Sequence, residues 1–528
     1  MNTTTCYLAL ALGLLTISGV NAQVNPKEKF ASALRAIEAN YVDPTDDEQL
    51  TDAAIRAMIK ELDPHSQYMS RKEAEAMNQA MSGNYAGIGI QYLMQNDSLF
   101  ITQIVPEGPA EKAGLRAGDR IIAIDGQQLA GNGLSNLDIM KKIRGEKGQP
   151  ISLTLVRRSS PDPLTVALTR GTIPNRSIRS YYMVDKTIGY ISLGIFNTTT
   201  RSELDQALNA LKAQGMKSLI LDLQGNGGGY VQAAIGAADE FLNQEKLVFY
   251  SVPRDGGKDY YYTGGQGQFM TGNMVVLIDQ STASSSEILT GALQDWDRAV
   301  VVGQRSFGKG LMQKPVTLLD GSVLQLTGAR YYTPAGRSIQ KPYHGHAYED
   351  NLTTRLKSGE LTDAQNIHFP DSLKYKTLVG KRTVYGGGGI MPDVFVPIDT
   401  LEFSPYFQQL VGSGIISQIA FEYMDQNRAT LQKQYPDFQS YEKNFQLPAD
   451  LMERLAKMGI TPKGNEATQA RLKTMAELHL KAQIASQLFG SNTYYQRMLN
   501  SENGSYLRAI AILKKPKQYE QYLQISQH

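Results

Sequence analysis

Between Thr187 and about Ile339 the chain alternates apolar strand-like runs with helix-like stretches, and this alternation limits its fold more than any other feature. The strand-like runs fall at Gly189 to Ile195, Ser218 to Leu223, Met274 to Ile278 and Ala299 to Val302. Helix-like stretches at Ser202 to Gln214, Tyr230 to Leu242 and Ser285 to Trp296 separate them. Short, continuously apolar strands between helices predict a parallel α/β sheet joined by right-handed crossovers. In such sheets, sites collect at the carboxyl ends of the strands.

The rest of the chain has a different character. At 528 residues it exceeds one core, and ~150 residues per domain gives three or four. Residues 26–80 read as helical, with Phe30, Leu34 and Ile37, then Ala53, Ile55, Met58 and Ile59, at helical spacing. The segment LDPHSQYM, 62–69, breaks that pattern at Pro64. From Gly83 to about Leu168 short strands and turns take over, opened by Gly87-Ile-Gly-Ile90 and including the Asp125-Gly126 tight turn. Residues 400–528 are mostly amphipathic helix rich in Gln, Lys and Tyr.

Residues 7–20 form a 14-residue apolar run, too short for a bilayer, which needs ~20. Val20-Asn21-Ala22 then offers small residues for cleavage before Gln23, so an export signal is expected, although no Lys or Arg precedes the run. A buried helix or an uncleaved anchor is the competing reading. The sole cysteine, Cys6, lies ahead of the run, so the mature chain has no disulfide and no thiol catalysis. No other run is long enough to cross a membrane. With 20% charged residues and a net charge of +2, composition gives no push towards nucleic acid or an anionic surface.

The chemistry concentrates in STASSSEILTGALQD, 281–295, and SFGKGLMQ, 306–313. Ser284 follows an apolar strand and opens an amphipathic helix, where unpaired N–H groups carry partial positive charge. The N–H of Ser285 is placed to stabilise an oxyanion. Taken alone, 281–286 reads more readily as an N-cap cluster. A serine hydroxyl needs a base. The six histidines lie at 65, 344, 346, 368, 479 and 528, none near Ser284 in sequence, and there is no GxSxG elbow and no HExxH or paired Cys/His metal spacing. Lys309, between glycines just after the run Ala299 to Val302, becomes a general base if desolvation removes its proton. Gln313, four residues on, shares a face with it in helix or strand and is a candidate to hold the amine. The loop Asp222-Leu-Gln-Gly-Asn-Gly-Gly-Gly-Tyr230 lets backbone N–H groups approach a substrate oxygen. A phosphate cradle is its alternative, but the lysine-serine pair of a P-loop is absent.

Taken together, these residues resemble the carboxyl-terminal processing (tail-specific) serine proteases. The resemblance runs from about residue 26 to 397 and includes LDPHSQYM, the GIGI-opened PDZ-like module, DLQGNGGG, TASSSEI, GKGLMQ, YYTPAGRSIQ and GGIMPDV. It implies Ser284 as nucleophile, Lys309 as base, Gln313 in support, and the N–H groups of Ser285 and Gly228 as oxyanion donors, on a ClpP/crotonase-like α/β core. The organisation expected is a signal peptide at 1–22, an N-terminal helical region at 23–82, an inserted PDZ-like β domain at 83–171, a Ser/Lys peptidase core at 172–397 and a C-terminal helical region at 398–528. Gly87, Ile88, Gly89 and Ile90 would present backbone to a terminal carboxylate while a peptide adds as a strand beside Ile88 to Tyr92. Arg144 stands where the family has an arginine that couples peptide binding to the active site. The sequence departs from the family at Gln224, usually Arg, and at Gly227, often Pro.

The function expected is that of an exported, periplasmic serine endopeptidase that grips apolar or unstructured carboxyl-terminal tails and needs no metal, nucleotide or other cofactor. Protein substrates are its expected partners, with an adaptor or a second copy of the chain as further candidates. Two rivals stand beside it: a non-catalytic PDZ scaffold on a protease-like fold, and an acyl-CoA-type hydrolase or isomerase on the same core.

Overall fold

The computed structural model describes residues 25–524, apart from 96–97, 130–135, 158–159, 161, 344–350 and 460. Residues 1–22, expected to be the export signal, lie outside the described residues, as do Cys6, His344, His346 and His528. The chain divides into two units, Met1–Leu62 and Asp63–His528. The first holds helices Pro26–Asn40 and Asp47–Lys60, whose first turns are capped by the side chains of Asn25 and Asp46.

The second unit is built on a six-stranded sheet in the order Ile178–Met183, Ile188–Leu193, Ser218–Asp222, Met274–Ile278, Val300–Gly303, Val394–Phe395. Only the first pair is antiparallel. Every residue of Ile188–Leu193 and Met274–Ile278 is buried, which their continuous apolar character requires. Helices Thr200–Ala213, Val231–Asp239 and Ser285–Asp295 cover one face, setting Leu204, Leu208, Ala234 and Leu289 against Ile191, Leu221 and Val276. The other face packs on Tyr506, Ala509, Ile512, Leu513, Tyr519 and Leu523. These residues come from Gly504–Leu513 and Pro516–Leu523, so the core's second layer is supplied from beyond residue 397, where the sequence placed its end.

An antiparallel sheet stands beside the core. Val323–Tyr332 pairs with Gln67–Met69, Leu247–Pro253 and Leu311–Thr317, and Leu247–Pro253 pairs with Asp259–Tyr262. The β domain contains Ile90–Gln95, Ser98–Ile104, Arg120–Ile124, Pro150–Val156 and Leu164–Thr169 around a core of Leu99, Ile101, Ile121, Leu153 and Leu155. The chain enters it through Asn84–Gly87 and leaves through Gly171–Pro174, and these two strands pair with each other, as an insertion demands. Six helices from Pro405–Gly412 to Asn492–Asn500 share a separate apolar cluster that includes Leu410, Ile419, Met424, Leu451 and Leu480.

Candidate active site

Ser284 lies at the amino end of helix Ser285–Asp295 with φ 56° and ψ −118°. A non-glycine residue there carries strain of order 1–3 kcal/mol and persists only where its surroundings enforce it. They do so from two sides. The Asp279 carboxylate accepts from Ser281 N at 2.9 Å and from Gly225 N at 2.9 Å, joining the two strand-end loops. Beyond Ser284, Ser285 Oγ donates to Gly229 O and Ser286 Oγ donates to Asn226 O, each at 2.9 Å. The serine cluster therefore staples the 226–229 loop to the helix start. Gly228, at φ 102°, presses so close that a Cβ there would lie 2.8 Å from Ser284 Cβ. At Gly229 it would meet Phe196 O at 2.0 Å, so neither position admits a side chain.

Glu287 is the residue that sequence reasoning passed over. Its fully buried carboxylate accepts from Ser284 N at 2.9 Å and Lys309 N at 2.8 Å on one oxygen, and from Gly308 N at 2.7 Å and Ser306 Oγ at 2.5 Å on the other. Burial raises its pKa, and these four bonds oppose the rise. The signal was present: Ser284-x-x-Glu287 is capping-box spacing. Tyr331, buried, joins the same two backbones through its hydroxyl, which lies 2.9 Å from Lys309 O and 3.3 Å from Ser284 O.

The Lys309 amine is mostly shielded, and burial lowers its pKa, while the Glu287 and Asp63 carboxylates push it back up. Asp63 and His65 come from LDPHSQYM, more than two hundred residues earlier in the chain. Asp63 Oδ1 accepts from His65 N at 2.8 Å, Ser66 N at 2.9 Å and Thr327 Oγ1 at 3.1 Å, and Thr327 faces Gln313 across the sheet. A histidine thus does stand near the lysine in space: burial, with the Lys309 charge second, brings the His65 pKa down to about 4. The Gln313 amide donates to Leu311 O at 3.3 Å. The Gly228 N–H, expected to face a scissile oxygen, donates instead to Asn226 Oδ1 at 2.9 Å. A cavity of about 440 Å³ opens beside Ser284 and Gln313, walled by Met69, Met77, Met81, Ile288 and Val323.

Comparison with known proteins matches the same segments. The model of peptidase family S41 fits residues 187–346, a PDZ model fits 100–157, and the activating protease CtpB N-terminal domain model fits 16–73. A carboxy-terminal-processing protease of Bartonella bacilliformis is 36% identical over 59% of this chain and 72% of its own. The chain belongs to peptidase family S41. Within that family, carboxy-terminal processing protease CtpA of Bacillus subtilis is 33% identical over 66% of this chain and 72% of its own. Among solved structures, the photosystem II D1 C-terminal processing protease aligns at 30% identity over 60% of this chain and 91% of its own, with a TM-score of 0.35. The protein is thus a carboxy-terminal-processing serine protease with a PDZ domain. Residues 406–490 match a family of unknown function.

Against this S41 background the departures gain a physical account. Where Gln224 replaces the usual arginine, a guanidinium arrives from elsewhere: Arg179 lies 3.3 Å from Gln224 O and 3.4 Å from Gly225 O. In the PDZ domain the side chains of Ile88 and Ile90 are buried in the core, and the carbonyls of Ile88 and Gly89 accept from Ala110 N at 2.8 Å and Val105 N at 2.9 Å. Among the described residues Ile90–Gln95 ends its sheet, paired with Ser98–Ile104. Arg144 stacks over the ring of Tyr85 at 4.7 Å, beside that edge.

Proposed function

We propose that the chain is an exported endopeptidase that cleaves through an acyl-enzyme on Ser284, with Lys309 as general base. Neutral Lys309 Nζ takes the Ser284 proton as Oγ attacks the scissile carbonyl carbon. The Ser285 N–H faces the oxygen that gains charge. A contribution from Gly228 calls for a shift of the 226–229 loop, since its N–H is engaged by Asn226. The Lys309 ammonium then gives the proton to the departing amine, and water, activated by the same amine, hydrolyses the ester. Gln313, on the cavity wall, orients the amine once substrate fills the site. The observation that carries this reading is the single Glu287 oxygen bonded to the backbones of both 284 and 309, 2.9 and 2.8 Å away.

The edge strand Ile90–Gln95 gives a carboxyl-terminal tail a strand to pair with, beside the 87–90 segment. Arg144 would relay occupancy of that edge. The apolar run at 7–20 supports export, with the periplasm as destination, and the parallel sheet with its crossing helices supports a ClpP/crotonase-like core.

Ser284→Ala and Lys309→Ala should each abolish casein turnover while leaving the melting temperature unchanged. Turnover by Ser284→Ala at the wild-type rate would overturn the assignment. In the parent enzyme kcat/KM should rise with pH through an apparent pKa below that of ordinary lysine, because burial favours the neutral amine.

A further inference from the structure

The loop that closes on Ser284 is anchored at its far end by the C-terminal helices. Its first residues are fixed within the core by Asp222 Oδ1, which accepts from Gln224 N at 2.8 Å, and by Asp279. The Gln224 side chain, however, turns away from Ser284 into a second cavity of about 590 Å³, shared with Asn500 and Asn503. There Asn503 Nδ2 donates to Gln224 Oε1 at 2.9 Å. A second line reaches the same loop. Asp222 Oδ2 accepts from Tyr190 OH at 2.6 Å, the Tyr190 ring lies 4.8 Å from that of Tyr182, and Tyr182 OH accepts from Asn500 Nδ2 at 2.8 Å. Both asparagines come from the region that matches nothing in the peptidase model, which ends at 346.

We infer that Asn503 is a positioning residue for proteolysis: through Gln224 it holds the 223–229 loop in the register that sets Gly228 and Gly229 against Ser284. The inference rests on the Ser284 site proposed above. Between Gln224 and Gly228 the loop has little freedom to absorb a shift. Asn226 is fully buried, its Nδ2 donates to Leu193 O at 2.8 Å, and its carbonyl holds Ser286. Gln224 lies two residues from this anchor, so its displacement strains the Asn226 contacts that hold the helix start through Ser286, and small errors at a reacting centre register as rate. Asn503 also caps its own helix by accepting from Tyr506 N at 3.1 Å, so the substitution must spare that bond.

Asn503→Ser keeps a cap oxygen and is too short to reach Gln224. Its kcat should fall roughly three- to tenfold, with KM and melting temperature unchanged. Gln224→Ala, outside any helix, should do the same, and the double variant should be no slower than either single one. Wild-type kcat in both single variants, or losses that multiply in the double, would overturn the inference. Ser284→Ala run alongside separates the two readings. If it is inactive while Asn503→Ser is wild-type, only the positioning role fails; if it cleaves normally, the site assignment fails.

Discussion

Helix Ser285–Asp295 buries carboxylates near both its ends and satisfies them by opposite means. At the amino end Glu287 is held by three backbone N–H groups and a hydroxyl, all neutral. At the carboxyl end Asp295 pairs with Arg337 at 2.6 Å, and Arg382 bridges Asp297 at 2.6 Å and Asp393 at 2.5 Å. Helix polarity accounts for the difference. A carboxylate is favoured where the helix carries partial positive charge, and one at the other end adds to partial negative charge and needs a cation. The consequence is functional. With no guanidinium bonded to it, the Glu287 carboxylate favours the charged form of the Lys309 amine, and it is burial that outweighs this and lowers the amine's pKa. The other end accounts for Arg337 of YYTPAGRSIQ and Asp393 of GGIMPDV, which belong to a buried ion-pair lattice far from the chemistry.

Four measurements would sharpen or break this contrast. Arg337→Ala leaves Asp295 without its guanidinium and should cost about 3–5 kcal/mol in denaturant unfolding, with little effect on the kcat of the folded fraction. Glu287→Gln puts an amide NH₂ among donors and should lower kcat about a hundredfold, with a smaller stability loss. A Glu287→Gln enzyme that melts early yet cleaves normally would make the two ends alike. Tyr331→Phe, which removes the hydroxyl shared by Ser284 O and Lys309 O, should cost about 1 kcal/mol of stability together with a modest drop in kcat. The smallest effect is a slope. The His65 pKa is depressed to about 4, so its contribution to stability is complete above pH 6.5 and is lost as pH falls towards 4. His65→Gln should flatten urea-unfolding free energy across that window by less than ~1.4 kcal/mol per pH unit, given partial solvent screening.

The parallel core was legible because its strands are buried on both faces: the run at Met274 to Ile278 matches the strand residue for residue. The antiparallel sheet was not. Asp259–Tyr262 and Val323–Tyr332 mix tyrosine with polar residues on half-exposed faces, so no continuous apolar run marks them, while the short run Leu247-Val-Phe-Tyr250 does not by itself reveal its antiparallel partners. Within the candidate site, local spacing pointed to Ser284, Lys309 and Gln313, while the bond Gln313 makes in the structure is to Leu311 O. Asp63 and His65 approach Lys309 because Gln67–Met69 pairs with Val323–Tyr332, a long-range contact with no local signature. Glu287 carried a capping-box signal that describes a helix start as well as a scaffold. Asn503 carried none.

That the last two helices make the second layer of the central sheet affects how the enzyme comes into being. A chain whose synthesis has stopped short of Gly504 leaves Ile188, Tyr190, Val275, Leu277 and Val302 facing water. Truncation before Gly504 should therefore undermine the central sheet without removing any residue of the candidate site.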